Sequence, residues 1–94
     1  DFDDPASPVV ASEFVGTSIT SQAPSQASRD RLRPDNPHLK LADARFRGYT
    51  RVEATPQRMT VDLRAMENVV RRDAACSTLA TFVVEDGRPG PQQA

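Results

Sequence analysis

His38 is the residue of this 94-residue chain whose type best suits acid–base chemistry. Histidine is the side chain whose ordinary pKa lies nearest to neutrality. His38 belongs to the segment Asn36-Pro37-His38, which ends a polar stretch typical of a loop. Loops carry a disproportionate share of binding residues, so a functional role is one interpretation. On the residues alone, a surface histidine or one bonded to nearby backbone is the more frequent case.

Residues 13–21 are the second stretch that could do chemistry. They contain the carboxylate of Glu13 and four hydroxyl groups, among them those of Thr17 and Ser18. Hydroxyl and backbone N–H groups where a strand meets a loop could hold a phosphate oxygen. Glu13 could orient a metal ligand without touching the metal itself. The alternative is an ordinary Ser/Thr-rich loop, because the sequence has no G-x-S-x-G, P-loop or metal-spaced His/Asp cluster.

Charge and cysteine content limit the classes of partner and site. The formal net charge of −1 gives no global electrostatic reason to expect nucleic acid or an anionic membrane as partner. No run of about 18 apolar residues is present, so no transmembrane helix is predicted. Cys76 is the single cysteine, which excludes an internal disulfide. Because it flanks an apolar strand, we expect a buried, unreactive thiol.

The composition predicts a weak core for a free-standing domain. Hydrophobic residues make up 37% of the chain, and there is no tryptophan. Typical globular chains have about 45–50% apolar residues, although that benchmark also counts glycine. A chain of this size buries only roughly 60–70% of the surface that it exposes when unfolded, so its stability alone is expected to be low.

The clearest predicted element is an antiparallel hairpin over residues 49–65. Apolar and polar residues alternate through 49–55 and again through 59–65, which places Val52 and Val61 on a buried face. Pro56 occupies the second position of the intervening turn, as a type I turn prefers.

The remaining elements surround this hairpin and give a mainly β fold. They are a buried strand over 8–16, a long loop over 22–35, a short helical turn starting at Asn36, a last strand over 78–84, and a disordered tail over 88–94. Four strands with one buried face form half of a sandwich. The other half must therefore come from elsewhere.

Three stretches, in order along the chain, resemble segments of the PhoD-like (alkaline phosphatase D) phosphatases. Residues 11–21, Ala-Ser-Glu-Phe-Val-Gly-Thr-Ser-Ile-Thr-Ser, resemble that family's EFVGTSITS segment. Asn36-Pro37-His38-Leu39-Lys40, followed by Arg47-Gly48-Tyr49, is similar to its NPH-(hydrophobic)-K…RGY segment. Residues 77–87 resemble its closing strand. The resemblance covers nearly the whole chain.

The resemblance implies a secreted enzyme, exported by a twin-arginine signal, with a calcineurin-like metallophosphoesterase core. Such an enzyme hydrolyses phosphate mono- and diesters at a site containing iron(III) and calcium, and some members are phospholipase D enzymes that act on phosphatidylcholine. In the family most metal ligands lie upstream of the segment present here. We therefore expect no metal ligand in this chain, whose strands would complete the α/β sandwich and the rim of the active site.

By the same resemblance, five residues are expected near the site. His38 is the candidate catalytic residue, Thr17, Ser18 and Asn36 are candidate substrate-binding residues, and Glu13 is a candidate support for a metal ligand. Residues 8–87 would be the C-terminal segment of the phosphoesterase. Residues 1–7 would be a flexible loop, at or near a cut in a longer precursor whose larger catalytic chain stays associated.

A stand-alone, non-enzymatic β module is the rival interpretation. It predicts that the isolated chain melts cooperatively. The phosphoesterase interpretation predicts aggregation or disorder of the isolated chain, because an apolar sheet face and unpaired strand edges would stay exposed.

Overall fold

A computed structural model describes residues 1–22 and 25–94 of the chain. Within them lie one helix and one sheet: α1 (Gln26–Leu32), β1 (Arg47–Ala54), β2 (Arg58–Met66), β3 (Cys76–Glu85) and β4 (Arg88–Gln93). The four strands form an antiparallel sheet in the order β1-β2-β3-β4. The fold is therefore mainly β with one short helix. The described helix is too short to span a membrane.

The predicted hairpin is confirmed, but burial of the predicted face is limited to β2, because Val52 on β1 is 53% exposed. The register of β1 and β2 pairs Val52 with Val61, so the alternating apolar residues share one face of the sheet. Thr55 closes the turn, because its N–H donates to the carbonyl oxygen of Arg58 at 2.8 Å and its hydroxyl group bonds the same residue. The predicted strand over 78–84 is also confirmed and lies within β3.

The core lies on one face of the sheet. Val61 is fully buried, and Ala65, Ala80 and Phe82 are buried around it. Phe14 packs over this face, with its ring centroid 6.2 Å from that of Phe82. The chain measures 43 × 35 × 17 Å, so it is a thin layer consisting of one sheet and a partial cover.

Residues 8–16 provide that cover, but they do not form the predicted strand. Val9 lies against Gly90 at one end of the segment, and Phe14 against Phe82 at the other. The segment crosses the face of the sheet instead of joining an edge. As a result, none of the backbone hydrogen bonds among the described residues involves it.

A helix replaces part of the predicted loop over 22–35, of which residues 23 and 24 lie outside the described residues. Ser25 caps α1, because its hydroxyl oxygen accepts the N–H of Ser28 at 3.2 Å. At the other end, Asn36 donates its side-chain amide to the carbonyl oxygen of Leu32 at 2.7 Å. Asn36 therefore closes this helix, and residues 36–39 form only a single turn of their own. The one short helix thus lies before Asn36 and not after it.

The expectation of a disordered tail is wrong, because Arg88–Gln93 forms β4. Gly87 adopts a φ of 74° in the turn from β3, a conformation that glycine reaches without strain. Prolines and glycines are depleted in strands, so the composition of residues 88–93 does not predict a strand. Pro89 and Pro91 fit because β4 is an edge strand, where a missing N–H breaks no ladder bond.

Cys76 is exposed, which corrects the expectation of a buried thiol. It is the first residue of β3, beside the last residue of β2 and away from the buried face. Burial begins further along β3, at Leu79.

Candidate functional site

The loop that holds Thr17 and Ser18 is fastened to the start of β1. The hydroxyl group of Thr17 donates to the carbonyl oxygen of Phe46 at 3.1 Å. The hydroxyl group of Ser18 donates to the carbonyl oxygen of Ser21 at 2.8 Å, and Arg47 Nε donates to the same oxygen at 2.6 Å. Both hydroxyl hydrogens are therefore already used, and either group must exchange a backbone partner before it can donate to a phosphate oxygen.

Asn36 and His38 lie beyond the C-terminal end of α1. Asn36 is half-buried, and one hydrogen of its amide nitrogen is used in the bond to the helix, so its second amide hydrogen and its side-chain oxygen remain for a substrate. His38 is exposed and stacks on Phe2, with ring centroids 4.4 Å apart and an interplanar angle of 29°. No side-chain hydrogen bond within the described part of the chain engages the imidazole. Both ring nitrogens of His38 are therefore accessible.

Helix α1 positions this second loop through Gln26. The side-chain amide of Gln26 donates to the carbonyl oxygen of Ala42 at 3.0 Å and accepts the N–H of Ala44 at 2.7 Å. Ala44 is buried, so these bonds tie the helix to the segment that enters β1. Arg45 then pairs with Asp43, and its guanidinium lowers the pKa of that carboxyl group.

The five predicted residues form two separate groups. Glu13, Thr17 and Ser18 lie on one loop, and Asn36 and His38 on the other. Among residues 1–22 and 25–94, no side-chain hydrogen bond joins the two groups. Both loops are linked to the same stretch, residues 42–47 at the start of β1. The first loop bonds it directly, and the second is linked to it through Gln26 of α1.

Glu13 is exposed, and the described residues contain no group of three or more His, Cys, Asp or Glu side chains that could hold a metal ion. The described residues therefore do not by themselves form the iron(III)–calcium site that the resemblance implies. Two shallow grooves lie elsewhere, one against β2 and one between residues 9–14 and β4, and none of the five predicted residues lines either of them.

The sequence did not predict a row of three bonded side chains, Arg51, Asp62 and Thr81, which we call the ionic ladder. It lies on the open face of the sheet, which is the face opposite Phe14. Arg51 on β1 donates through Nε and Nη2 to one carboxylate oxygen of Asp62 on β2, at 3.1 and 2.6 Å. Thr81 on β3 donates its hydroxyl group to the other oxygen at 2.6 Å. The alternation had already placed Arg51 and Asp62 on the polar face. The alternation does not specify that β2 pairs with β3, and this pairing brings Thr81 to the carboxylate of Asp62.

Beside this ladder, Arg64 donates through Nη1 to the hydroxyl group of Thr78. Its Nε is buried and has no hydrogen-bond partner within the described residues. Arg64 lies opposite Tyr49 in the register of β1 and β2, and the tyrosine side chain raises the pKa of Arg64 further. These residues make the open face more polar than the face under Phe14, and Asp62, Arg64 and Thr81 on it are half-buried.

Replacing Thr81 by valine is expected to raise the pKa of Asp62. The hydroxyl group of Thr81 is the largest cause that lowers this pKa below the ordinary value of 3.8, and Arg51 is the next. A lowered folded pKa stabilises the fold above about pH 3.8, and this contribution is lost as the pH falls through the folded pKa. The stability deficit of Thr81→Val should therefore be largest near neutral pH and vanish in acid.

Titration of the aspartate side-chain carbon signals by NMR would measure this effect. Thr81→Ser is the matched control, since it keeps the hydroxyl group and should keep the low pKa of Asp62. An unchanged titration in Thr81→Val would contradict the assigned role of the hydroxyl group.

Comparison with known proteins identifies the family. The model of the PhoD-like phosphatase family matches residues 1–63. Alkaline phosphatase D of Bacillus subtilis (strain 168) is 39% identical over 93 residues, which cover 96% of this chain and 16% of the relative. A solved structure described as the structure of PhoD superposes with a TM-score of 0.86 at 37% identity, over 100% of this chain and 18% of its own. The chain thus spans less than a fifth of these two relatives, and it belongs to the PhoD-like phosphatase family.

Proposed function

We propose that this chain is the C-terminal segment of a metal-dependent phosphoesterase that hydrolyses phosphate mono- or diesters. The observation that carries the proposal is the family match over residues 1–63. That range includes both loops that hold the five predicted residues. In this proposal the chain contributes sheet strands and part of the rim of the active site.

The metals of the proposed enzyme are assigned to residues outside this chain. This assignment rests on the family resemblance, in which most metal ligands lie upstream of the segment present here. Iron(III) and calcium are the ions that the family resemblance implies. The roles left to this chain are those of loop donors, a wall near the bound phosphate, and the candidate catalytic imidazole of His38.

A larger catalytic part of the same protein is the proposed partner. Several apolar side chains are largely exposed within the described residues. Val10 is 95% exposed, Val70 is 89% exposed and Ile19 is 77% exposed. Burial of apolar area of this kind is worth about 25 cal/mol per Å², so a covering partner would stabilise the chain substantially.

The substrate class within phosphoesters is a further part of the proposal. A phosphomonoester and a phospholipid are both consistent with the family, and secretion is supported by the family resemblance alone. The described surface gives no reason to add nucleic acid as a partner, since the net charge of the chain is −1.

The proposal is tested by assaying the complete protein that contains this chain, beside the 94-residue chain alone. The substrates would be p-nitrophenyl phosphate, bis-p-nitrophenyl phosphate and phosphatidylcholine. We expect metal-dependent hydrolysis by the complete protein and none by the isolated chain, which should also aggregate. A compact isolated chain with a cooperative melt, together with an inactive complete protein, would favour the stand-alone β module instead.

A further inference from the structure

The two edges of the sheet differ in how they are protected. The strand order makes β1 and β4 the outermost strands. An edge strand presents unpaired N–H and C=O groups that invite another strand, and natural proteins block such edges with prolines, bulges, charges or covering segments. Comparison of the two edges therefore indicates which of them the fold leaves available.

The β4 edge is blocked. Two of the six residues of β4, Pro89 and Pro91, have no backbone N–H. The register between β3 and β4 also shifts near Val83 and Glu85, and Gly90 has a φ of 93°. An irregular strand with two missing donors cannot offer a continuous ladder to a further strand.

The β1 edge is regular. The eight residues of β1 include no proline, and their register with β2 has no shift. The N–H of Thr55 donates to the carbonyl oxygen of Arg58, which fixes the alternation of hydrogen-bonded pairs along this hairpin. Counting back from that pair, the residues that direct both backbone groups away from β2 are Gly48, Thr50, Val52 and Ala54.

These outward groups have no backbone partner in the described part of the chain. Two neighbouring segments approach this strand without bonding these groups. The loop of residues 17–21 is held at Phe46 and Arg47, before and at the start of the strand. Gly16 lies near the side chain of Thr50, and no backbone hydrogen bond joins it to β1. The charge of Arg51 does not guard the edge either, because Asp62 neutralises it on the open face. Val52 is 53% exposed although it pairs with the fully buried Val61. An apolar side chain at an open, regular edge is the arrangement that further pairing would cover.

We propose that the β1 edge pairs with a strand from the remaining part of the phosphoesterase, so that the sheet continues beyond β1. This inference rests on the proposed function, in that the chain is taken as one segment of a larger protein. The two relatives are long enough to supply the strand, since the chain covers only 16% and 18% of them. A strand within the same protein also has a higher effective concentration than a second copy of this chain.

Hydrogen exchange in the complete protein tests the pairing at single-residue resolution. We expect the amides of Thr50, Val52 and Ala54 to exchange roughly 100-fold or more slowly than free amides, as slowly as those of Arg51 and Glu53. Strict alternation, with slow exchange at 51 and 53 and free exchange at 50, 52 and 54, would overturn the proposal. Protection that rises with protein concentration would overturn it as well, since a second copy would then cover the edge.

Proline substitutions give an independent test in the complete protein. Val52→Pro removes one outward N–H of β1, and we expect it to lower Tm and to release the amides of Thr50 and Ala54 to exchange. Gln93→Pro is the matched control, because Ala94 bonds β3 and Gln93 therefore directs its N–H away from the sheet. Val52→Ala controls for the side chain. Equal effects of Val52→Pro and Gln93→Pro would contradict the proposal.

The outcome is separable from that of the proposed function. Phosphoesterase activity of the unmodified complete protein is measured on the same preparation. An active protein with a freely exchanging β1 edge would refute the pairing alone, and an inactive protein with a protected edge would refute the proposed activity alone.

Discussion

Replacing His38 by alanine in the complete phosphoesterase is expected to lower kcat by at least about tenfold, since positioned acid–base groups contribute on the order of 10²–10⁴-fold. His38 is the candidate catalytic residue by the family resemblance. The ring is exposed and rests on Phe2, with both nitrogens free of side-chain hydrogen bonds within the described residues. Steady-state kinetics with p-nitrophenyl phosphate would measure the loss, and unchanged kinetics would remove His38 from the site.

Two further variants separate the role of the imidazole from that of its neighbour. Phe2→Leu removes the stacked ring and keeps His38, so kcat should stay close to that of the unmodified enzyme. His38→Gln keeps a hydrogen-bonding group that does not titrate. If His38 transfers a proton, this variant should be as slow as His38→Ala and should lose a limb of the pH profile of kcat. If His38 orients the substrate, it should retain much of the activity.

The hairpin could be predicted because one physical signal determines it. Strict alternation through residues 49–55 and 59–65 places Val52 and Val61 on one face, and a one-residue slip of β2 would expose the buried Val61. The register of the structure agrees with this arrangement. Where burial depends on a second element, the sequence is less informative, as at Cys76, which is exposed because it is the first residue of β3.

The missed elements depend on interactions that local patterns do not encode. Helix α1 has no buried residue, so it lacks the apolar periodicity that would predict it. It is held by the Ser25 cap and by the bonds from Gln26 to Ala42 and Ala44. Residues 8–16 have strand-like composition, yet they form no ladder among the described residues, because composition does not specify which strand is adjacent.

The family resemblance indicates the residues of the candidate site, but it does not predict their hydrogen-bond partners. The engagement of Thr17 with Phe46 O and of Asn36 with Leu32 O depends on contacts between segments that are not adjacent in the sequence. The Arg51–Asp62–Thr81 ladder likewise required the pairing of three strands. The residue types indicate which groups could bind or react. The contacts between segments determine which of these groups already have a hydrogen-bond partner within the chain.

Replacing Gly48 by alanine is expected to destabilise the complete protein by about 3 kcal/mol or more, because overpacking costs about 1–3 kcal/mol and this contact is with rigid backbone. A Cβ atom at Gly48 would lie 1.8 Å from the carbonyl oxygen of Arg64 and 3.2 Å from the Cα atom of Ala65. Strand β1 can approach β2 this closely only without a side chain at that position. The glycine of the Arg47-Gly48-Tyr49 segment therefore has a structural reason.

Gly16→Ala is the matched control for this substitution. A Cβ atom at Gly16 would find its nearest neighbour, Thr50 Oγ1, at 3.8 Å, an ordinary van der Waals contact. We therefore expect a change within about 0.5 kcal/mol there, as for substitutions that meet no clash. Urea denaturation of the complete protein would compare the two variants. Equal midpoints would mean that β1 and β2 do not approach as closely at Gly48 as the register requires, and the pairing of Gly48 with Ala65 would have to be revised.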